Sequence, residues 1–356
     1  MTTRIIEGKE AKTMDRKVKW SLLSPFLKQF GSGSMAYSTL QPGMEYFVDD
    51  NLGYIAFSRY GKFPFRDKTF VMADPIVEKG ETQRLISNFL NRFRKPLFLQ
   101  SGEHTRDILR AEGFSCTQMG IETDVDAKRF DLQGEKKQIL RTARNKAARD
   151  GLSTIEVENE KDYVGLKEVS DRWLASRSLS DREIWYFARP ALMEDEPDVR
   201  KMIALNREGR KIGFIFFDPT YSRGKVTGYC ANIARFSPTE FKQGINDVIL
   251  LSMLEKLKEE EPSTLHLGLS PFHALEEELG QTEKSSVKGL FKFLYKRGNK
   301  IYNFKNIGFH KERYCGTQKP VYFCSRSSLQ PLEVYLSMNN AGMLSSIGEM
   351  LRKTMK

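Results

Sequence analysis

Four stretches of the chain hold residues whose types and spacing could do chemistry. FDLQGEKKQILRTARNKAARDGL, residues 130–152, carries Lys136, Lys137, Arg141, Arg144, Lys146 and Arg149 with no acid among them. Lys137, Arg141 and Arg144 stand at i, i+4, i+7, so a helix would show them on one face and pack Ile139, Leu140, Ala143 and Ala147 beneath. Such a face suits the phosphates of an RNA acceptor stem or an anionic lipid surface, and equally an ordinary solvated helix. In the second stretch, residues 228–260, the strand GYCANIARF leads through Ser237-Pro238 and Gly244 into the helix INDVILLSML. The helix start offers unpaired backbone N–H groups to an anion, including those of residues 241–244, or is plain capping punctuation. Arg235, near the strand end, could clamp a phosphate or carboxylate, or form a surface ion pair.

The third stretch, LHLGLSPF at 265–272, reads as a buried strand broken at Gly268 and again at Ser270-Pro271. The break leaves the Ser270 hydroxyl at the strand's carboxyl end, where α/β folds place ligands. His266 is expected to be packed and satisfied; His273 is a candidate proton carrier. In the fourth, residues 300–323, Lys305, His310, Lys311 and Arg313 interleave with Tyr302, Phe304, Phe309 and Tyr314. That mixture holds phosphates while stacking on a ring, and also makes an amphipathic loop.

The signatures of the commonest enzyme classes are missing: no GxSxG elbow, no HExxH, no GxxxxGK[ST] and no GxGxxG. With 57 Lys+Arg against 46 Asp+Glu the formal charge is +11, which favours an anionic partner such as nucleic acid, lipid headgroups or a phosphorylated cofactor. A hydrophobic share of 40% and a charged share of 29% over 356 residues exclude disorder, collagen-like repetition and a disulfide-stapled miniprotein. Cys116, Cys230, Cys315 and Cys324 form no CxxC pair and no metal spacing with the histidines. Four reduced thiols in a cytoplasmic protein without a metal are therefore expected. No apolar leader and no long apolar window appears, so membrane contact is expected to be peripheral at most.

These residues need elements to hold them. Residues 1–20 are polar without a period and read as a frayed lead-in. EYFVDD, LGYIAFSRYG and DKTFVMADP predict a meander, followed by a helix over GETQRLISNFLNRF, the strand PLFLQ, a helix ending at Gly113 and a strand through GFSCTQMGIETDV. The same order recurs after the helix VGLKEVSDRWLASR: three strands between residues 201 and 236, a helix, the strand TLHLGLS, the helix SSVKGLFKFLYKRG and the strand PVYFCSR. We therefore expect an α/β (α+β) chain of two related halves with mixed sheets. The expected ranges are a lead-in at 1–20, halves at 21–126 and 161–328, a basic linker at 127–160 and a peripheral helical tail at 329–356.

Taken in order, these segments resemble the C-terminal catalytic domain of bacterial phosphatidylglycerol lysyltransferases, the multiple peptide resistance factor family. DLQGEKKQILRTARNKAARDGL is similar to that family's basic run, VSDRWLASR to its S-D-x-W-L helix, and GYCANIARFSPTEFKQGINDVIL to its strand ending in arginine. LHLGLSPF and YNFKNIGFHKERY follow in the family's order, and the likeness spans residues 130–323. It implies tandem GNAT-like folds and transfer of an aminoacyl group from charged tRNA to a lipid hydroxyl or other small acceptor, with no bound cofactor. By position it further implies Arg235 and Lys311 as catalytic candidates; the general base is unassigned, with His310 added to the catalytic candidates and His273 beside it on residue type alone. Arg313, Ser270, Gly244, Asn232, Arg141, Arg144 and Lys137 would be substrate-binding candidates. The chain departs from the pattern in two places: Asn232 lies in the run YCANI that replaces an acidic residue before the arginine, and SLSDREIWYF follows Trp173 where a glutamate and glycine pattern is usual. An acyl-CoA donor and a non-enzymatic RNA- or membrane-binding module stay open as alternatives, as does the oligomeric state.

Overall fold

The computed structural model describes residues 3–176, 185–186, 188–237, 239, 244–275, 286–298 and 303–343. The chain opens with β1 (Thr3–Ile6), α1 (Gly8–Thr13) and α2 (Arg16–Phe30). A meander follows, β2 (Glu45–Asp49), β3 (Gly53–Arg59) and β4 (Thr69–Met72), with β5 (Ile76–Val77) set against β3. Next come α3 (Thr82–Arg92), β6 (Leu97–Ser101), α4 (Glu103–Ala111) and β7 (Ser115–Asp126). The helix α5 (Gln138–Asp150), the strand β8 (Ser153–Glu156) and the helix α6 (Leu166–Ala175) lead to a second meander, β9 (Arg200–Leu205), β10 (Lys211–Ser222) and β11 (Lys225–Phe236). The chain continues through α7 (Ile245–Lys258), β12 (Thr264–Pro271), α8 (Ser286–Arg297), α9 (Phe304–Glu312), β13 (Thr317–Ser325) and α10 (Gln330–Asn340). The element order expected from the sequence is present, and the fourth chemical stretch is the helix α9 rather than a loop.

All the strands belong to one mixed sheet in the order β1-β2-β3-β4-β6-β13-β7-β12-β11-β10-β9-β8, with β5 to the side. Among the described residues only β4–β6 and β11–β12 are parallel, each joined by a crossover helix, α3 and α7 respectively. The tandem α/β arrangement thus holds, with one feature that periodicity did not reveal. β13, last in sequence, inserts between β6 and β7, while β7 leaves the first set of strands to pair with β12 of the second. The two runs of elements therefore exchange strands.

Helices cover both faces of the sheet, and every residue of β2 and β6 is buried, the polar Glu45, Asp49, Gln100 and Ser101 included. Leu85, Ile86 and Phe89 of α3 cover one face of the first meander, and α7 buries Ile249, Met253, Leu254 and Leu257 against the second. Three expectations are corrected. The lead-in is ordered, because β1 pairs with β2 and Ile6 reaches the core. The segment after Leu329 is not peripheral: α10 buries Val334 and Leu336. Cys116 and Cys324 are not both free thiols but a disulfide, since they stand opposite each other on β7 and β13 with Cα atoms 4.1 Å apart. The residues are 208 apart in sequence, so nothing local announced the pairing.

Candidate active site

The parallel strands β11 and β12 are paired only from Gly228–Thr264 to Cys230–His266. Beyond that they part. Gly268 has a φ of +71° inside a bulge of β12 against β7, a backbone that glycine adopts without the strain a side chain would add. Between the diverging strands lies a cavity of about 750 Å³, walled by β11 from Ala231 to Phe236, β12 from Leu267 to Leu269, α9, and Val334, Ser337 and Met338 of α10. Its surface is mostly apolar. Among the described residues the charged side chains that line it are Arg189, Arg235 and Lys311, all cationic.

Lys311 projects from α9 into this gap and donates from Nζ to the Leu269 carbonyl at 2.7 Å. Burial pulls its pKa down to about 8, with Cys230 and Glu122 nearby pulling it back up. The folded protein releases this proton near pH 8, whereas the unfolded chain holds it to about 10.5, so stability rises with pH between the two. Lys311→Met is therefore expected to stabilise the fold below pH 8, by at most about 3 kcal/mol, and to lose that gain as the pH climbs through the window. Melting temperatures taken across pH check this; a difference that does not vary with pH would refute it.

Arg235 is 3% exposed. Its guanidinium donates to the Ser170 hydroxyl and lies 5.4 Å from the ring centre of Trp173. Both partners come from the SDRWL turn of α6, so the S-D-x-W-L segment and the arginine-ending strand form one structural unit. Asn232, one strand period and a half earlier, donates from Nδ2 to Asp218 Oδ2 at 2.5 Å and to Ser38 Oγ at 2.6 Å. Asp218 in turn accepts three bonds from Arg189, from Nε to both carboxylate oxygens at 2.9 Å and from Nη2 at 2.7 Å, and Arg189 also reaches Glu196 at 2.8 Å. Lys201 completes the cluster at 2.9 Å from Glu196.

His310, one residue before Lys311, is held by Asp247 of the first turn of α7, with Nε2 3.0 Å from Oδ1. Burial lowers its pKa, Asp247 opposes that, and Arg313 and Lys311 add to it, so the imidazole is kept neutral. Asp247 thus faces the imidazole as a charge partner, while its hydrogen bond goes to Tyr314, whose hydroxyl donates to it at 2.8 Å. It also lies 3.7 Å from Arg313.

His310, Asn246, Asn306 and Phe236 face a second cavity of about 1240 Å³ as well, and so form a wall common to both. Gly244 lines this second cavity at the N-terminus of α7, where its φ of +97° turns the chain into the helix. Arg313 lines it too, together with Lys146 of α5 and Lys136 in the turn before that helix, and so do Asp247 and Glu312. On the shared wall the Asn246 Oδ1 is buried and has no hydrogen-bond partner.

The structure brings Arg235, Asn232, His310 and Lys311 to the first cavity and Gly244, His310 and Arg313 to the second. Four expected residues lie elsewhere. Lys137 is spent on Asp131 at 3.2 Å and sits over Phe130, Arg141 donates to the carbonyls of Leu132 and Gly134, and Arg144 is exposed outside both cavities. The reason is the rotation of α5: Leu140, Ala143 and Ala147 pack inward, which turns Lys136, Ile139 and Lys146 toward the cavity and leaves Ile139 56% exposed. Ser270 is 1% exposed, its hydroxyl without a partner and on neither lining. Most of the 241–244 segment, residues 241–243, lies outside the described residues. His266 is satisfied as expected, between Asp124 at 2.6 Å and Thr220 at 3.2 Å. His273 has both nitrogens engaged, by Tyr295 and Glu312 at 2.8 Å each, and so is no free proton carrier.

Sequence reasoning missed Asp218, Asp247, Arg189 and Asn246. The first two had a signal: a lone acid inside GFIFFDPTY and another opening the apolar helix INDVILL, where an unpaired carboxylate is too costly to bury.

Comparison with known proteins follows the same geometry. A family model described as phosphatidylglycerol lysyltransferase, C-terminal, matches residues 25–325. An uncharacterized protein of Corynebacterium glutamicum is 21% identical over 317 residues, which is 85% of this chain and 38% of the relative, so the chain spans under two fifths of that protein's length. The solved structure of L-PGS from Bacillus licheniformis superposes with a TM-score of 0.74 at 18% identity, covering 95% of this chain and 98% of its own. A C-terminal domain of the DUF2156 class from Agrobacterium fabrum gives 0.71 at 19% identity, covering 93% and 98%. The fold is shared across the whole of both solved domains.

Proposed function

Because this chain belongs to the phosphatidylglycerol lysyltransferase C-terminal family, a family of transferases, we propose that it moves an aminoacyl group from aminoacyl-tRNA to the hydroxyl of a lipid or similar anionic acceptor. The observation that carries this reading is that Arg235 and Lys311 share one apolar cavity whose wall at His310 is common with a second, lined by Lys136, Lys146 and Arg313 beside Asp247 and Glu312. The apolar side suits the acceptor: an acyl chain lies against the Phe and Met side chains while its headgroup phosphate meets the Lys311 ammonium. The second cavity suits the donor, with its cations Lys136, Lys146 and Arg313 there for the phosphates of an acceptor stem. Asn246 Oδ1, orphaned on the wall between them, supplies an acceptor for the amino group of the transferred residue.

In this reading the acceptor hydroxyl oxygen attacks the carbonyl carbon of the aminoacyl ester, and its proton passes to the neutral His310 imidazole. The bond between that carbon and the terminal ribose oxygen of the tRNA breaks, and the ribose oxygen takes the proton. Asp247 stabilises the imidazolium in between. Holding both substrates across one wall supplies the proximity that such a transfer needs, and no covalent enzyme intermediate is involved. Arg235, fixed by Ser170 and Trp173, orients the acceptor's anionic group.

The test is incubation of the protein with a mixture of charged tRNAs and phosphatidylglycerol vesicles, followed by mass spectrometry of the lipids. An aminoacylated lipid is expected, and its mass names the amino acid. Arg235→Ala is expected to lower turnover at least tenfold with the circular dichroism spectrum unchanged. Undiminished turnover would remove Arg235 from the site, and product formed from acyl-CoA but not from charged tRNA would replace the donor.

A further inference from the structure

The turn between β3 and β4 carries the sequence Gly61-Lys-Phe-Pro-Phe-Arg-Asp67, and all seven residues are exposed. Phe63 is 82% exposed, the most of any large apolar side chain described, and Phe65 is 36% exposed. Single exposed hydrophobic residues are ordinary, but two phenylalanines flanking a proline at the tip of a hairpin form a protruding apolar point. Its surroundings are basic. Lys62 and Arg66 bracket the phenylalanines, and Lys68, which binds the Lys95 carbonyl at 3.0 Å, brings the exposed Arg94 and Lys95 alongside.

The turn is also tied to the acceptor cavity. Tyr60 Oη and Lys62 Nζ both donate to Asn339 Oδ1, at 2.8 and 3.1 Å, and Asn340 Nδ2 donates to Ser58 Oγ at 2.9 Å. Lys68 pairs with Glu333. These anchors all lie on α10, whose Val334, Ser337 and Met338 line the apolar cavity. The hairpin tip and one wall of the cavity are thus braced as a unit.

We propose that this turn is a membrane-docking tip: Phe63 and Phe65 enter the headgroup boundary of an anionic bilayer, Lys62 and Arg66 hold its phosphates, and α10 is thereby set beside the lipid surface. Apolar rings with cations on their flanks match the two forces that hold a peripheral protein to such a surface, apolar burial and attraction to anionic lipid. A protein groove would match the rings without calling for the basic surround. The proposal rests on the reading above in taking the acceptor to be a lipid.

The experiment uses the whole chain and vesicles of equal parts phosphatidylcholine and phosphatidylglycerol. The double variant F63S/F65S keeps every charge, and is expected to partition onto the vesicles at least tenfold less than the wild type. Its turnover of a monomeric short-chain phosphatidylglycerol should be unchanged, because neither ring lines either cavity. Separately, the emission of F63W should shift to the blue when vesicles are added. Equal partitioning of variant and wild type, or an unshifted emission, overturns the proposal. So does a variant that turns a wild-type dimer into a monomer while vesicle partitioning stays the same, which would make the tip a self-association surface. A wild type that binds vesicles through these rings yet aminoacylates neither lipid form supports the docking and overturns the acceptor reading alone.

Discussion

Lys311→Ala is expected to lower turnover by about 100-fold or more while leaving the fold at least as stable as before. The two halves of that outcome come from one fact. An ammonium enclosed by apolar side chains, with a single carbonyl as its hydrogen-bond partner at 2.7 Å, is held there against its own preference for water. Removing it relieves the fold and empties the cavity of the charge that would meet a phosphate or a developing oxyanion. A loss of activity that came from unfolding would carry the opposite stability change, so the pair of measurements separates the two causes. The pH profile adds a sign. If Lys311 works as a cation, kcat/KM falls as pH rises through about 8, where the free enzyme loses the charge. The limb in kcat moves to higher pH, since a bound anion holds the proton on. A profile that rises through the same pH would make Lys311 a base instead, and steady-state rates of the wild type from pH 6 to 10 decide between the two.

Arg189→Met should destabilise the fold by about 3–5 kcal/mol. The guanidinium is buried, and it bridges Asp218 and Glu196 with bonds of 2.7 to 2.9 Å to one and 2.8 Å to the other. Those two carboxylates hold its proton far above the ordinary arginine range. Methionine fills most of the volume but leaves two buried acids to share what Lys201 and Asn232 can supply. Lysine in its place restores a charge but not the fork, and is expected to recover only part of the loss. Urea unfolding monitored by fluorescence measures both variants. A change under about 1 kcal/mol in Arg189→Met would mean that the cluster is hydrated and not a buried network. Because Asn232 hangs from Asp218, the same variant should also loosen the cavity wall at β11.

The residues of the site were legible to different depths, for physical reasons. Arg235 and Lys311 stood out because a motif ties each to a strand end or a helix turn, and the topology then brings those places together. The basic run at 136–149 was visible as charge, but which charges face a cavity depends on how α5 rolls onto its neighbours. Leu140, Ala143 and Ala147 decide that roll, and no count of lysines could have given it. Ser270 looked like a strand-end ligand because a broken strand exposes backbone at its tip. Leu267, Leu269 and Pro271 line the cavity in plain alternation, so Ser270 between the last two turns to the interior. His273 was a candidate only while its partners were unknown; Tyr295 and Glu312 take both its nitrogens. Most elements were readable from period and punctuation, with β1 and α1 of the polar lead-in and the helix α9 as exceptions, whereas their pairing was not. Apolar alternation says that a strand needs neighbours and is silent on which ones.

The exchange of β7 and β13 bears on how the chain is made. Among the described residues β6 and β7 do not pair, and β13 is the one strand that bridges them. During synthesis, then, the first set of strands emerges from the ribosome with a gap that nothing upstream can fill. Until residues 317–325 have left the exit tunnel, two open strand edges wait there for the last strand of the sheet, and a nascent chain halted short of it has no finished half to keep.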